Sequence, residues 1–227
     1  NPDIIGVQEI KCVDDAFPRD FINSLGYHIE SYGQKGHYGV ALLSKKPPKS
    51  LRKGFPNDGE DAQKRLISAT YELENNKTIK VINGYFPQGE NREHIVKFPA
   101  KKKFYEDLLS YLNNDYSLKD NLIIMGDMNI APSDQDIGIG DQNKSRWLKT
   151  GKCSFLPEER EWLEAIKNWG AHDLFRELSP NVSDLYSWFD YRSDGFKDNR
   201  GLRIDLMLGT VSVKEKCQSV EIDYEIR

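Results

Sequence analysis

A chain of 227 residues is long enough for one sizeable core and short for two ordinary domains. Its 38% hydrophobic and 30% charged residues exclude a disordered polymer, and no stretch nears the ~20 apolar residues a membrane span needs. The net charge of −4 excludes a protein that coats nucleic acid by charge alone, though not an enzyme whose carboxylates hold a cation.

The chain opens with Asn1-Pro2-Asp3 running straight into an apolar strand, as if cut from something longer, with no basic and apolar leader of the secretory type. Asp3 to Glu9 reads as a buried strand with a polar end. Phe17 to Leu25 has helical spacing and stops at Gly26. His37 to Leu43 is a second strand, and Leu66 to Leu73 with Thr78 to Phe86 form a hairpin around Glu74 to Lys77. Lys101 to Leu112 is an amphipathic helix with Phe104, Leu108, Leu109 and Leu112 on one face. Asn121 to Gly126 is an apolar strand. Pro157 to Trp169 is a helix with proline and two glutamates in its first turn and Gly170 after its end. Short strands are expected around Tyr186 to Trp188, over Leu202 to Leu208 and over Val220 to Tyr224. With no repeat or linker, the expected architecture is one domain, two sheets face to face with helices outside. Three cysteines (Cys12, Cys153, Cys217) without a CxxC pair indicate neither a disulfide framework nor a zinc knuckle, and they fit a reducing, cytoplasmic location.

Four segments carry candidate chemistry, and each also has a bland reading. Glu9 ends a hydrophobic strand, where hard cations find oxygen ligands; it also fits a solvated carboxylate. Asp127 and Asn129, two apart after Gly126, point to one side if extended and offer a proton acceptor beside an amide; they also fit a simple Asp/Asn turn. Tyr85 ends a strand that turns at Pro87, as a phenolic donor or a core aromatic. Arg203 and Asp205 alternate with Leu202 and Ile204 as the polar face of a strand, where Asp205 could simply pair with Arg203.

Taken together, Gln8-Glu9, Asn83-Gly84-Tyr85, Gly126-Asp127-Met128-Asn129 and Arg203-Ile204-Asp205 resemble, in order and spacing, the exonuclease III family of the endonuclease/exonuclease/phosphatase superfamily. The stretches Gly33 to Leu43 and Arg146 to Pro157 sharpen the resemblance to its bacterial branch. It covers the whole chain.

The resemblance implies a four-layered α/β sandwich of two mainly antiparallel sheets with outer helices. It implies a DNA-repair nuclease: a 3′-to-5′ exonuclease and abasic-site endonuclease that also removes 3′-phosphates and other 3′ blocks. Glu9 would be the principal ligand of magnesium, with manganese a substitute. Asp127 would accept the proton of the attacking water, Asn129 and Tyr85 would hold the scissile phosphate, and Asp205 would orient a catalytic histidine. Trp188 and Leu202, with Ile204, would wall a small pocket for a flipped-out abasic sugar. Arg65, Gln88 and Lys97 are the expected DNA contacts, with Lys101 to Lys103 a local basic group that is equally well a solvated helix face. The partner implied is double-stranded DNA, with no membrane, and the protein a monomer.

None of His28, His37, His94 and His172 matches the family's catalytic histidine, which lies in a Ser-Asp-His segment beyond the match to Asp223 to Arg227. The family's first strand, with a metal-site asparagine, would precede Asn1. The expectation is therefore a domain spanning 1–227, incomplete at both termini, with open sheet edges, weak stability and little activity as a separate segment. Two alternatives stand beside it, a phosphatase of the same superfamily acting on lipids and a non-catalytic DNA-binding fragment.

Overall fold

The computed structural model describes residues 1–225, without the side chain of Asn75. Ile226 and Arg227 of the Asp223 to Arg227 match lie outside the described residues.

Two sheets meet face to face. In the smaller, β1 (Ile4–Gln8), β2 (His28–Tyr32) and β3 (Val40–Ser44) run antiparallel in the order β1-β3-β2, and among the described residues β1 pairs with β3 alone. The larger sheet has the order β4-β5-β6-β7-β11-β8, formed by β4 (Ser50–Lys53), β5 (Leu66–Glu72), β6 (Thr78–Tyr85), β7 (Leu122–Asp127), β8 (His172–Asp173) and β11 (Asp205–Gly209). Among the described residues only β6 and β7 are parallel, and their connection is the long helix α2 (Lys97–Asp115), as a parallel crossover requires. A short pair, β9 (Trp188–Phe189) with β10 (Gly201–Leu202), lies apart.

Three apolar layers set this order. Val40, Leu42, Ile67, Ala69, Tyr71 and Val81 fill the space between the sheets. The opposite face of the large sheet packs Leu66, Ile82, Leu122 and Ile124 against Phe104, Leu108 and Leu112 of α2 and Leu163 and Ile166 of α4 (Pro157–Trp169). Outside the small sheet, Ile29, Ala41 and Leu43 pack with Phe17 and with Ile22 of α1 (Arg19–Ser24). The result is helix, sheet, sheet, helix, the expected four-layered sandwich.

Several local expectations are corrected. β2, β4 and α3 (Asp141–Thr150) are additional elements, as are the short α5 (Leu174–Leu178) and α6 (Val211–Lys214). The strand expected from His37 begins only at Val40, because Tyr38 and Gly39 have φ of 57° and 84°. The single strand expected over Leu202 to Leu208 is broken between β10 and β11, where Arg203 turns inward to buried aspartates. Val220 to Tyr224 forms no strand. It is held by side chains instead: the Tyr224 hydroxyl accepts from Tyr186 N at 2.6 Å, and its ring packs on Phe189 and Phe196.

Candidate active site

The site forms where strand ends of both sheets meet. Gly84 and Gly126 are directly paired in β6 and β7, and the fit is close enough that Gly126, at φ 135°, has no room for a Cβ against the Gly84 carbonyl. That pairing sets Tyr85 beside Asp127. From the other side, β11 pairs Asp205 with Asp127. Glu9 arrives at the end of β1, in the other sheet, on a left-handed backbone (φ 53°) that turns it out of the strand. Such a conformation costs roughly 1–3 kcal/mol in a non-glycine residue.

An amide staple joins the sheets at this point. Asn83, fully buried, donates to the carbonyls of Val7 and Ala41, both at 3.0 Å, and accepts from Gln8 Nε2 at 2.5 Å. Two residues on, the Tyr85 hydroxyl donates to Glu9 Oε1 at 2.6 Å. Burial, then the Glu9 carboxylate, push the Tyr85 phenol well above its ordinary range, so it stays a donor at any working pH. Burial raises the Glu9 carboxyl, but hydrogen bonds from Lys11 and Tyr85 with the charges of Lys11 and Arg65 outweigh it and hold Glu9 below the usual value.

Asp127 and Asn129 form an Asx turn, with Asn129 N donating to Asp127 Oδ1 and Asn129 Nδ2 to Oδ2, both at 3.0 Å. Their alignment comes from this turn, with Asn129 at φ 54°, and not from the extended backbone expected. Burial first, and the charge of Asp205 second, push the Asp127 carboxyl well above its ordinary value, while the Asn129 N–H and Lys101 pull the other way. Asp205 does not pair with Arg203. Arg203, 1% exposed, donates to Asp136 Oδ1 and Asp173 Oδ2, each at 2.6 Å, and so lies beneath the site and not on a polar face.

The expected DNA contacts divide. Gln88 and Lys97 are exposed, Lys97 paired with Glu90 at 2.5 Å. Arg65 is buried: it donates to the Tyr85 carbonyl at 3.0 Å and lies 3.9 Å from the Tyr38 ring centroid and 4.8 Å from that of Tyr85. Its guanidinium props Tyr85, and the residue borders a cavity with Gln63, Pro87 and Phe104. The Lys101 to Lys103 group also separates. Lys101 is fully buried against Glu159, whereas Lys102 and Lys103 pair with Glu106 and Asp107 along their own helix face. Leu202 and Trp188 are direct cross-strand neighbours, but Leu202 and Ile204 are buried with Ala131, Ile139, Trp147 and Phe155. Trp188 alone of the three borders a cavity of about 150 Å³, with Trp147, Lys152 and Arg146 among its other walls. Sequence reasoning gave no role to Asn83, whose partners Val7 and Ala41 are distant in the chain, nor to Lys11 and Lys152, which meet the nearby Glu9 and Trp147.

Among the described residues, no three His, Cys, Asp or Glu side chains are gathered to hold a metal. Magnesium needs no such cage, because it keeps several waters and takes one or two carboxylates besides a substrate phosphate. Glu9 suits that role. It is half-exposed and held ionised, and its Oε2 already carries a cation, the Lys11 ammonium at 2.5 Å.

The sequence profile described as "Endonuclease/Exonuclease/phosphatase family" matches residues 1–227. The exodeoxyribonuclease III of Haemophilus influenzae is 58% identical over 226 residues, covering 100% of this chain and 84% of that protein. A 3′ phosphatase from Neisseria, solved bound to a product DNA hairpin, superposes with a TM-score of 0.88 at 32% identity, covering 99% of this chain and 82% of the other. An AP endonuclease from Archaeoglobus fulgidus gives 0.84 at 32% identity, covering 96% and 80%.

Proposed function

Because the chain belongs to the endonuclease/exonuclease/phosphatase family, in its bacterial exonuclease III branch, we propose that it hydrolyses phosphodiesters of double-stranded DNA. It would act as a 3′-to-5′ exonuclease, cut beside abasic sites, and remove phosphates and other blocks from 3′ ends. The observation that carries this reading is the convergence of Glu9, Tyr85, Asp127 and Asn129 from two sheets, with a 2.6 Å hydrogen bond joining the first two.

Each residue has a role that its geometry supports. Asp127, with its raised carboxyl, takes the proton of a water attacking phosphorus, because an acceptor works best when its pKa approaches the working pH. As the water O–H bond breaks, the new P–O bond forms and the leaving oxygen departs with its electron pair. Tyr85 and the Asn129 amide would turn their hydrogen bonds, made in the free protein to Glu9 and to Asp127 and the Phe86 carbonyl, toward the phosphate oxygens, which gain negative charge in the transition state. Both donors are already oriented, Tyr85 by Arg65 and Asn129 by the Asp127 turn and the Phe86 carbonyl. Asp205 adds negative charge next to Asp127, favouring proton uptake there, and by the family resemblance it would orient a catalytic histidine. Glu9 would hold the divalent cation, magnesium or manganese, which when bound neutralises charge on the scissile phosphate.

Gln88 and Lys97, both exposed, are the proposed DNA contacts, and Trp188 the proposed wall for an abasic sugar. A single domain is supported by the core that the two sheets share. A monomer in the cytoplasm is the proposed state: all three cysteines are free, and among the described residues no helix is long and apolar enough to cross a membrane.

The test is cleavage of a duplex oligonucleotide carrying one abasic-site analogue, by the protein in its natural full length, with magnesium or with chelator. Magnesium-dependent incision on the 5′ side of the lesion is expected. Binding without incision in either condition overturns the catalytic reading.

A further inference from the structure

We propose that Lys101 is a positioning residue for this reaction: its buried ammonium ties the loop that presents Gln88 and the loop that presents Asn129 to one point, keeping the DNA-contacting group and the phosphate-holding group in register. The inference rests on the nuclease reading for what the two loops do, and on geometry alone for the tie between them.

Lys101 is 0% exposed, in the middle of a site that the sequence makes look like a basic surface run. Its Nζ donates to Glu159 Oε1 at 2.5 Å, to the Asn129 carbonyl at 2.8 Å and to the Gln88 carbonyl at 3.2 Å. An ammonium has three N–H groups, so all three are used. Glu159 is 0% exposed as well, and its second oxygen accepts from Leu156 N at 2.8 Å at the start of α4. One ion pair therefore joins α2, α4 and both loops.

The loops need such a tie because neither backbone follows a sheet ladder there. Asn129 is left-handed at φ 54°, and Gln88 lies between Pro87 and Gly89, the latter at φ 88°. Gly89 also lies against the lysine stem, where a Cβ would stand 3.0 Å from Lys101 Cδ. The neighbouring Tyr105 hydroxyl holds the Met128 carbonyl at 2.7 Å, so α2 grips the Asn129 loop at two successive peptides. Packing alone does not call for this arrangement. A buried ion pair loses two hydration shells, and an apolar pair of the same volume is often as stable. What an apolar pair could not do is hydrogen-bond two loop carbonyls at once.

The experiment uses the double variant Lys101→Met/Glu159→Leu, which removes both charges and strands neither. Hydrogen exchange followed by mass spectrometry is expected to run at least tenfold faster in residues 86–92 and 126–131, with Tm and the protection of β5 and β6 unchanged. On the abasic-analogue duplex, kcat is expected to fall at least tenfold while KM moves less than threefold, a split that general loss of stability would not produce. Should the double variant fail to fold, Lys101→Gln/Glu159→Gln keeps a neutral donor one bond shorter, unable to reach both carbonyls, and strands no charge; the same two exchange changes are expected. Parent-like exchange in both segments at parent-like Tm overturns the proposal, as does a kcat within twofold of the parent. A parent protein that does not cleave would refute the nuclease reading, while the exchange result would still decide on Lys101.

Discussion

Tyr85 and Glu9 are 76 residues apart and belong to different sheets, yet the Tyr85 hydroxyl donates to Glu9 Oε1 at 2.6 Å. The proposed metal ligand and a proposed phosphate donor are thus one hydrogen-bonded unit, kept in place by the Asn83 staple between the sheets and by Arg65 behind the tyrosine.

Tyr85→Phe is expected to reduce kcat on the order of 10²-fold with KM little changed, since it removes one transition-state donor and keeps the ring that Arg65 supports. Steady-state cleavage of the abasic-analogue duplex checks the kinetics, and a thermal melt within a few degrees of the parent shows that the fold is kept.

Glu9→Gln should raise the magnesium concentration needed for half-maximal activity by about tenfold or more, because it removes the negative charge that the cation would meet. A magnesium titration of cleavage measures this. Chelator should abolish activity in the parent, and an unchanged magnesium requirement in the variant would place the metal elsewhere.

Asp127→Asn should lose about 10²- to 10⁴-fold in rate, the usual contribution of a positioned proton acceptor. Its stability should move the opposite way. The folded carboxyl titrates above the unfolded value of about 3.9. Its contribution to stability is therefore fully present below that pH and lost as pH rises through the folded value. Above the unfolded value the carboxyl therefore opposes folding, and the asparagine variant should melt higher than the parent. Thermal melts along a pH series check this: the gap should close as the solution is acidified, and a gap independent of pH would contradict the raised carboxyl.

Arg203→Met should destabilise the protein by roughly 3–5 kcal/mol, because it removes the side-chain cation that pairs with buried Asp173 and leaves Asp136 with Arg176 alone. Arg203→Lys should also lose stability, since an ammonium cannot reproduce the two-pronged contact with Asp173 at 3.2 and 2.6 Å. Urea unfolding measures both, and a change under 1 kcal/mol would show that the aspartates are relieved by water.

Much of this protein was legible along the chain. The central strands and α4 follow from apolar runs, the first-turn proline and glutamates and Gly170, because such elements answer to local sterics and to periodic burial. Glu9, Tyr85 and Asp127 end apolar strands, at the rim of a core, where each also fits a bland reading; the resemblance of the four segments together to the exonuclease III family is what singled them out. What the chain order alone could not decide is which charges meet. Lys101 sits among lysines and looks exposed, but its partner Glu159 is 58 residues away. Arg203 looks like the neighbour of Asp205, but its partners are Asp136 and Asp173. Arg65 was expected at a DNA surface and is buried beneath two tyrosines. Periodicity is written by short-range forces that each segment feels by itself. The pairing of buried ions and the meeting of two sheets at one site depend on long-range packing, and only the tertiary structure decides them.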